Sequence, residues 1–205
     1  MGTSGMANAR GCAPRLGSCS LGDVPSAGAA RPHHPHAMSH TLQKKICLLG
    51  DFAVGKTSLV RRFVEGRFDD RYLSTIGVKI SRRALTRPYG TLNFLVWDLA
   101  GGENYESHSS YLAGVAGALI VCDLTRRVTM AALQRYTSQL RAVNPKTVCV
   151  YLGNKADVLD RQIPEADLQM LCANFLGGPY LLTSARTGEN VEAAFTLLAE
   201  QIEQA

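Results

Sequence analysis

The sequence predicts an α/β domain: a six-stranded, mostly parallel sheet with helices on both faces and one antiparallel edge strand. Three observations carry this. From Lys44 onward, short apolar runs alternate with stretches whose apolar residues recur at helical spacing. Two β-like stretches flank Pro88-Tyr89-Gly90, a turn signal, and so form an antiparallel hairpin. A glycine-bearing loop follows the first strand directly and opens the first helix.

In order, Ile46–Leu49 is a short apolar run ending at Gly50, the pattern of a buried strand. Lys56–Glu65 places Leu59, Val60, Phe63 and Val64 at helical spacing. Gly77–Thr86 alternates and reads as a strand, and Thr91–Trp97 is its hairpin partner. Ala118–Cys122 and Thr147–Leu152 are two further apolar strands, with a helix over Val128–Ala142 between them. Glu165–Phe175 reads as a helix with Pro164 at its start. Tyr180–Leu182 is a last short strand, and Val191, Ala194, Phe195, Leu198 and Ile202 stripe a closing helix. In such a sheet the crossovers are right-handed and a ligand sits at the carboxyl ends of the strands.

Composition fits one domain with an appendage. The chain has 205 residues, with 46% hydrophobic and 19% charged. The longest run without a polar side chain, Tyr111–Cys122, is 12 residues, short of the roughly 18 that span a bilayer. Residues 1–43 hold six of the 19 Gly and four of the eight Pro but no aromatic residue, so they bury too little apolar surface to fold and are expected to be a disordered extension. Met38 is a candidate true start, which makes 1–37 a start-site artefact or a dispensable leader. An organelle transit peptide is the lesser alternative, since Gly and Pro are frequent for an amphipathic helix. The 44–205 segment is the folded domain. The net charge of +5 is spread along the chain without a basic stripe interleaved with aromatics, which argues against a nucleic-acid partner. The cysteines include no C-x-x-C pair; Cys47, Cys122 and Cys149 lie in strand-like runs and read as buried reduced thiols.

The loop Gly50-Asp51-Phe52-Ala53-Val54-Gly55-Lys56-Thr57 matches G-x-x-x-x-G-K-S/T between a strand and a helix. Glycines let the backbone curl around phosphates, and the helix N-terminus offers N–H groups to an anion. Lys56 adds a full positive charge, and the Thr57 hydroxyl is a hard oxygen suited to Mg²⁺. The alternative, a glycine turn beside a surface lysine, does not account for the whole pattern in this context. The loop implies a nucleoside triphosphate but not its base. Gly153-Asn154-Lys155-Ala156-Asp157 ends a later strand. The Asp157 carboxylate can accept hydrogen bonds from N1–H and the 2-amino group of guanine, which adenine does not offer. A site built for such bonds rejects the lacking analogue by about 10⁴–10⁵. An Asn-x-x-Asp loop that merely caps the next helix is the plainer alternative.

With these motifs in order, residues 44–204 resemble the Ras superfamily of small GTPases, most closely the Rab branch through Trp97-Asp98, Thr75-Ile76-Gly77-Val78 and Asp123-Leu124-Thr125. The first switch segment resembles Phe68–Gly77, the second Trp97–Glu103, and the last contact loop Thr183-Ser184-Ala185-Arg186. The resemblance implies a single P-loop GTPase domain that binds GTP or GDP with Mg²⁺. It implies a phosphate site from Gly50, Ala53, Val54, Gly55, Lys56, Thr57 and Ser58. Thr57 and Thr75 would ligate the metal, with Asp98 holding it through a water. Gly101 would meet the γ-phosphate, Phe68 would pack against the base and Tyr72 would lie over the phosphates. Asn154, Lys155, Asp157, Ser184, Ala185 and Arg186 would frame the guanine. Lys56, Thr75, Gly101 and Gly102 are the candidate catalytic positions. Implied partners are an effector, an exchange factor and a GTPase-activating protein, with the chain a monomer.

Three departures modify this. Gly102 stands where the family has a water-orienting glutamine, and Phe52 is bulky where many members have a small residue. Both predict slow hydrolysis, unless a partner supplies a glutamine or a neighbour such as Asn104 or His108 positions water. The chain ends Glu200-Gln201-Ile202-Glu203-Gln204-Ala205 without a cysteine, and Met1-Gly2 is followed by Met6 rather than Ser or Thr at the myristoylation position. No direct lipid anchor and a cytoplasmic location are therefore expected. The expected function is a slow GTP-hydrolysing switch; the alternatives are a GTP-binding interaction module with negligible hydrolysis and an ATP-using enzyme, the latter disfavoured by Asp157 and the Ser184-Ala185 loop.

Overall fold

Alternation along the strands sorts the core into two halves, one on each face of the sheet. In a computed structural model describing residues 40–69, 74–88, 90–102 and 109–205, Ile46 and Leu48 enter one half and Cys47 and Leu49 the other. The elements are β1 His40–Leu49, α1 Lys56–Glu65, β2 Val78–Arg87, β3 Gly90–Leu99, α2 Ser109–Leu112, β4 Gly117–Asp123, α3 Val128–Val143, β5 Val148–Asn154, α4 Glu165–Leu171, β6 Tyr180–Thr183 and α5 Val191–Gln204. The six strands run in the order β2-β3-β1-β4-β5-β6. All pairings are parallel except that of β2 with β3, so the antiparallel strand lies at an edge.

Leu59, Val60 and Phe63 of α1 and the stripe of α5 cover one face. The Phe63 and Phe195 rings stack there with centroids 3.7 Å apart. Leu112 of α2, Leu133, Tyr136 and Leu140 of α3 and Leu168 of α4 cover the other. The central strands β4 and β5 bury side chains on both faces, which is why they read as continuous apolar runs. Cys47, Cys122, Cys149 and Cys172 are buried free thiols, and burial raises the pKa of each. Among the described residues no helix is long and apolar enough to cross a membrane.

The boundaries differ from expectation in three places. β1 starts at His40, ahead of the apolar run and inside the 1–43 segment, because residues 40–43 pair in register with Gly90–Asn93 of β3. Strand length here follows pairing rather than hydrophobicity, and Leu42 is left exposed. The α4 helix changes at Leu171 into a π-helical turn, Cys172–Leu176, closed by Gly177 N–H bonding to the Cys172 carbonyl at 2.9 Å. Arg141 Nη2, at 2.9 Å, and the Tyr151 hydroxyl both donate to the Leu176 carbonyl, outside the helical ladder. The short α2 was not among the expected helices; its Leu112 is buried in the second half of the core. Met38, the rest of 1–39, Tyr72, Asn104 and His108 lie outside the described residues.

Candidate functional site

Parallel pairing brings the carboxyl ends of β1, β3, β4, β5 and β6 to one edge. The register sets Leu48 opposite Asp98, Asp123 opposite Asn154, and Asn154 opposite Thr183. β1 connects onward between two neighbours, β3 and β4, that lie on opposite sides of it, which places a switch point at its end.

The loop after β1 curls tightly. Gly50, Ala53 and Gly55 have φ of 141°, 62° and 99°. A Cβ on Gly50 would collide with the Val121 carbonyl, and one on Gly55 with the Asn154 carboxamide. A loop that turns N–H groups inward toward an anion turns carbonyls outward, and these need donors. Lys56 Nζ donates to the Gly50 and Asp51 carbonyls at 2.8 and 2.9 Å. Arg126 Nη2 donates to Phe52 O at 2.7 Å, and Asn154 Nδ2 to Val54 O at 2.8 Å. The Asp51 carboxylate accepts from Arg135 Nη2 at 2.9 Å and from the Tyr136 hydroxyl at 3.0 Å. Lys56 is buried, and loss of solvation pulls its ammonium pKa down to about 8, so an anion beside it would further favour the charged form. The α1 N-terminus has no side-chain cap, which leaves its N–H groups for a ligand.

Thr57 and Thr75 meet through their hydroxyls, Oγ1 to Oγ1 at 2.7 Å. Asp98 is fully buried, and among the described residues neither carboxylate oxygen has a hydrogen-bond partner of good geometry. Burial raises its pKa, against the opposing pull of the Thr57 hydroxyl and the Lys56 charge. An orphaned buried carboxylate calls for a cation. Two hydroxyls and this carboxylate are the hard oxygens that Mg²⁺ prefers, so the residues fit that ion.

At the other end the groups are already paired. Asn154 is buried, and its Oδ1 accepts from Ala185 N–H at 3.2 Å and from Thr183 Oγ1 at 3.3 Å. Asp157 Oδ1 accepts from Ser184 Oγ at 2.6 Å, and its Oδ2 lies 4.0 Å from Arg186 Nη1. Lys155 takes a φ of 69° and reaches Asp123 Oδ2 at 2.6 Å. Arg62 of α1 donates through Nε to Ala185 O at 3.0 Å and through Nη2 to Arg186 O.

A cleft of about 380 Å³ runs between these groups, within the range of small-molecule sites. Ala53, Gly55, Lys56, Thr57 and Ser58 line its phosphate-loop side, and Phe68, Thr75 and Gly101 the side opposite. Asn154, Lys155, Asp157, Ala185 and Arg186 close its far end. Gly50, Val54, Asp98 and Ser184 are buried behind this lining. A Cβ on Gly101 would come within 2.5 Å of Lys56 Nζ, so the backbone there rests against the lysine. Gly102 is not part of the cleft; with Phe52, Arg126, Thr129 and Arg135 it lines an adjacent hollow of about 260 Å³. Tyr72 lies outside the described residues.

The donors Arg62, Arg126, Arg135 and Tyr136 were not among the expected site residues. Their bonds to the loops of the cleft span 74 to 124 positions of sequence, which no local pattern reveals. Asp123 was legible in part, since a carboxylate at the end of a strand in this sheet lies at the ligand edge.

A Ras family model matches residues 45–204. Ras-related protein RHN1 of Nicotiana plumbaginifolia is 38% identical over 168 residues, 81% of this chain and 84% of that protein. Ras-related protein RABD1 of Arabidopsis thaliana is 34% identical over 162 residues, 78% of this chain and 79% of that protein. With the loops at the strand ends arranged as described, the chain belongs to the Ras family of small GTPases and is Rab-like within it.

Proposed function

We propose that this GTPase is a guanine-nucleotide switch with slow intrinsic hydrolysis. Gly102 carries that reading: at the position of the water-orienting glutamine there is no side chain. In this reading the phosphate loop and the α1 N-terminus receive the phosphates, and Lys56 places its ammonium against them. Thr57, Thr75 and Asp98 hold Mg²⁺, which when bound neutralises charge on the phosphate oxygens. Gly101 N–H binds the γ-phosphate, so the state of the nucleotide is sensed by the chain that follows. Asp157 pairs with the guanine edge, Ala185 N–H meets its oxygen, and Phe68 packs against the ring. Effectors, exchange factors and activating proteins of the kind the family uses would read the segments around 68–76 and 100–111; of these, 70–73 and 103–108 lie outside the described residues.

Among the described residues, a Cβ on Gly102 meets nothing within 4 Å, so they leave space for a side chain. Its φ of 134°, however, is one that side-chain-bearing residues avoid. Restoring glutamine therefore requires the backbone to leave this conformation. The second reading, an interaction module with negligible hydrolysis, is favoured by Phe52, whose half-exposed ring stands in the same hollow. Single-turnover hydrolysis of the Mg²⁺–GTP-loaded chain tests both. A rate below that of a glutamine-containing relative supports the slow switch, no turnover supports the module, and a rate equal to the relative's sinks both. Competition of ATP against GTP for the empty site tests the base assignment.

A further inference from the structure

We infer that Arg126 is a positioning residue that straps the phosphate loop to the base-recognition loop through Asp123, and so sets how long a nucleotide stays bound. The inference rests on the nucleotide-site reading above and extends it to residues outside the cleft lining.

Asp123 is the last residue of β4 and is fully buried. Its Oδ1 is fixed locally, accepting from Thr125 N–H at 3.0 Å and Thr125 Oγ1 at 2.7 Å. Its Oδ2 takes two cations from different loops, Lys155 Nζ at 2.6 Å and Arg126 Nε at 2.9 Å. Burial alone would push this carboxyl up, but the bonds from Lys155, Thr125 and Arg126 outweigh it and hold it below the ordinary range. The hub is therefore charged at any physiological pH. From the hub, the far end of the guanidinium reaches the Phe52 carbonyl at 2.7 Å. The strap thus runs from Lys155 in one loop to Phe52 in the other through Asp123 and Arg126, neither of which lines the cleft.

A fork-shaped guanidinium is suited to this, because one side chain can bond a carboxylate and a carbonyl together. Asn154 makes the other link between the two loops, to Val54 O. Phe52 and Val54 flank Ala53, which has a φ of 62°, so the two links hold the carbonyls on either side of the strained turn. Without Arg126, Phe52 O loses this charged donor and the loop gains freedom that a ligand must remove on binding. The Arg126 side chain is 38% exposed, so solvent screening keeps the effect modest.

The test is the dissociation rate of MANT-labelled GDP from the full chain in Mg²⁺, read by stopped-flow fluorescence. Arg126→Ala should speed release about three- to tenfold, as expected for a screened charged hydrogen bond. Arg126→Lys should recover part of this, since an ammonium reaches one partner but does not fork to both. Combined with Lys155→Ala, the effects should be less than multiplicative, because both cations act on the same oxygen. Arg87→Ala, which removes ion pairs to Glu200 and Glu203 away from the loops, gives the scale of a merely structural loss and should leave the rate unchanged. Release from Arg126→Ala within twofold of the unmodified chain overturns the inference and leaves the site reading standing. So do fully multiplicative effects with Lys155→Ala, or an equal acceleration by Arg87→Ala. Failure of the unmodified chain to bind MANT-GDP at all overturns both.

Discussion

The two ends of the cleft are built differently. At the base end, the polar groups of Asn154, Asp157 and Ser184 have protein partners, so the shape is set before a ligand arrives. At the phosphate end, among the described residues, no hydrogen bond reaches either carboxylate oxygen of Asp98, and nothing lies within 4 Å of a Cβ built on Gly102. A preformed network gives selectivity, since a ligand that does not match it leaves buried groups unpaired. An unsatisfied one gives responsiveness, since a cation or phosphate is needed to complete it. In the proposed reading, identity of the ligand is thus read by the preformed end, and its charge state by the incomplete end.

Removing the base-end carboxylate gives the largest expected effect. Asp157→Ala should cut the preference for GTP over ATP by on the order of 10⁴, measured by competition against a fluorescent guanine nucleotide. A change smaller than tenfold would mean that the preformed end does not choose the base. Next is Asp98→Ala, expected to weaken Mg²⁺ binding to the nucleotide-loaded chain by about 10–100-fold in a titration of nucleotide release against free Mg²⁺. The same change should raise the unfolding temperature of the nucleotide-free chain, because it removes a buried carboxylate whose oxygens no described residue hydrogen-bonds with good geometry. A fall instead would show that Asp98 is satisfied within the protein. Smaller still, Gly102→Gln combined with Phe52→Gly should speed single-turnover hydrolysis about tenfold, and more than Gly102→Gln alone. Equal rates for the single and double variants would clear Phe52 of any obstruction. Last, Arg62→Ala should speed GDP release by about threefold, since charged bonds to the Ala185 and Arg186 carbonyls are lost at the base end.

The same division governs what the amino-acid sequence discloses. The α1 helix is legible at both ends, Lys56 and Glu65, because a motif starts it and Gly66 stops it with a φ of 69°. β4 and β5 are legible because burial on both faces leaves only apolar choices. The N-terminal part of β1 is not, because Thr41, Leu42 and Gln43 are exposed and held by backbone pairing, which is blind to side-chain type. Nor is the π-helical turn after α4, where distant side chains bond the Leu176 carbonyl. Within the site, residues that carry the motif chemistry are readable by spacing. The arginines that hold the loops in shape are not, because exposed arginines are common on helices and loops alike and only the fold selects which of them meet a carbonyl.

The strand register has a further consequence for how this chain tolerates change in length. Asp123, Asn154 and Thr183 form one row across β4, β5 and β6; the loops begun by Asn154 and Thr183 line the cleft, and the one begun by Asp123 lines the adjacent hollow. A parallel strand advances about 3.3 Å per residue, so a single insertion within any of the three would carry one member of the row out of line and turn its side chain to the opposite face. The connections at the other edge, residues 144–147 and 177–179, feed the beginnings of β5 and β6 and supply none of the residues that line the cleft. Lineages of this protein should therefore gain and lose residues at that edge while the opposite one keeps its count.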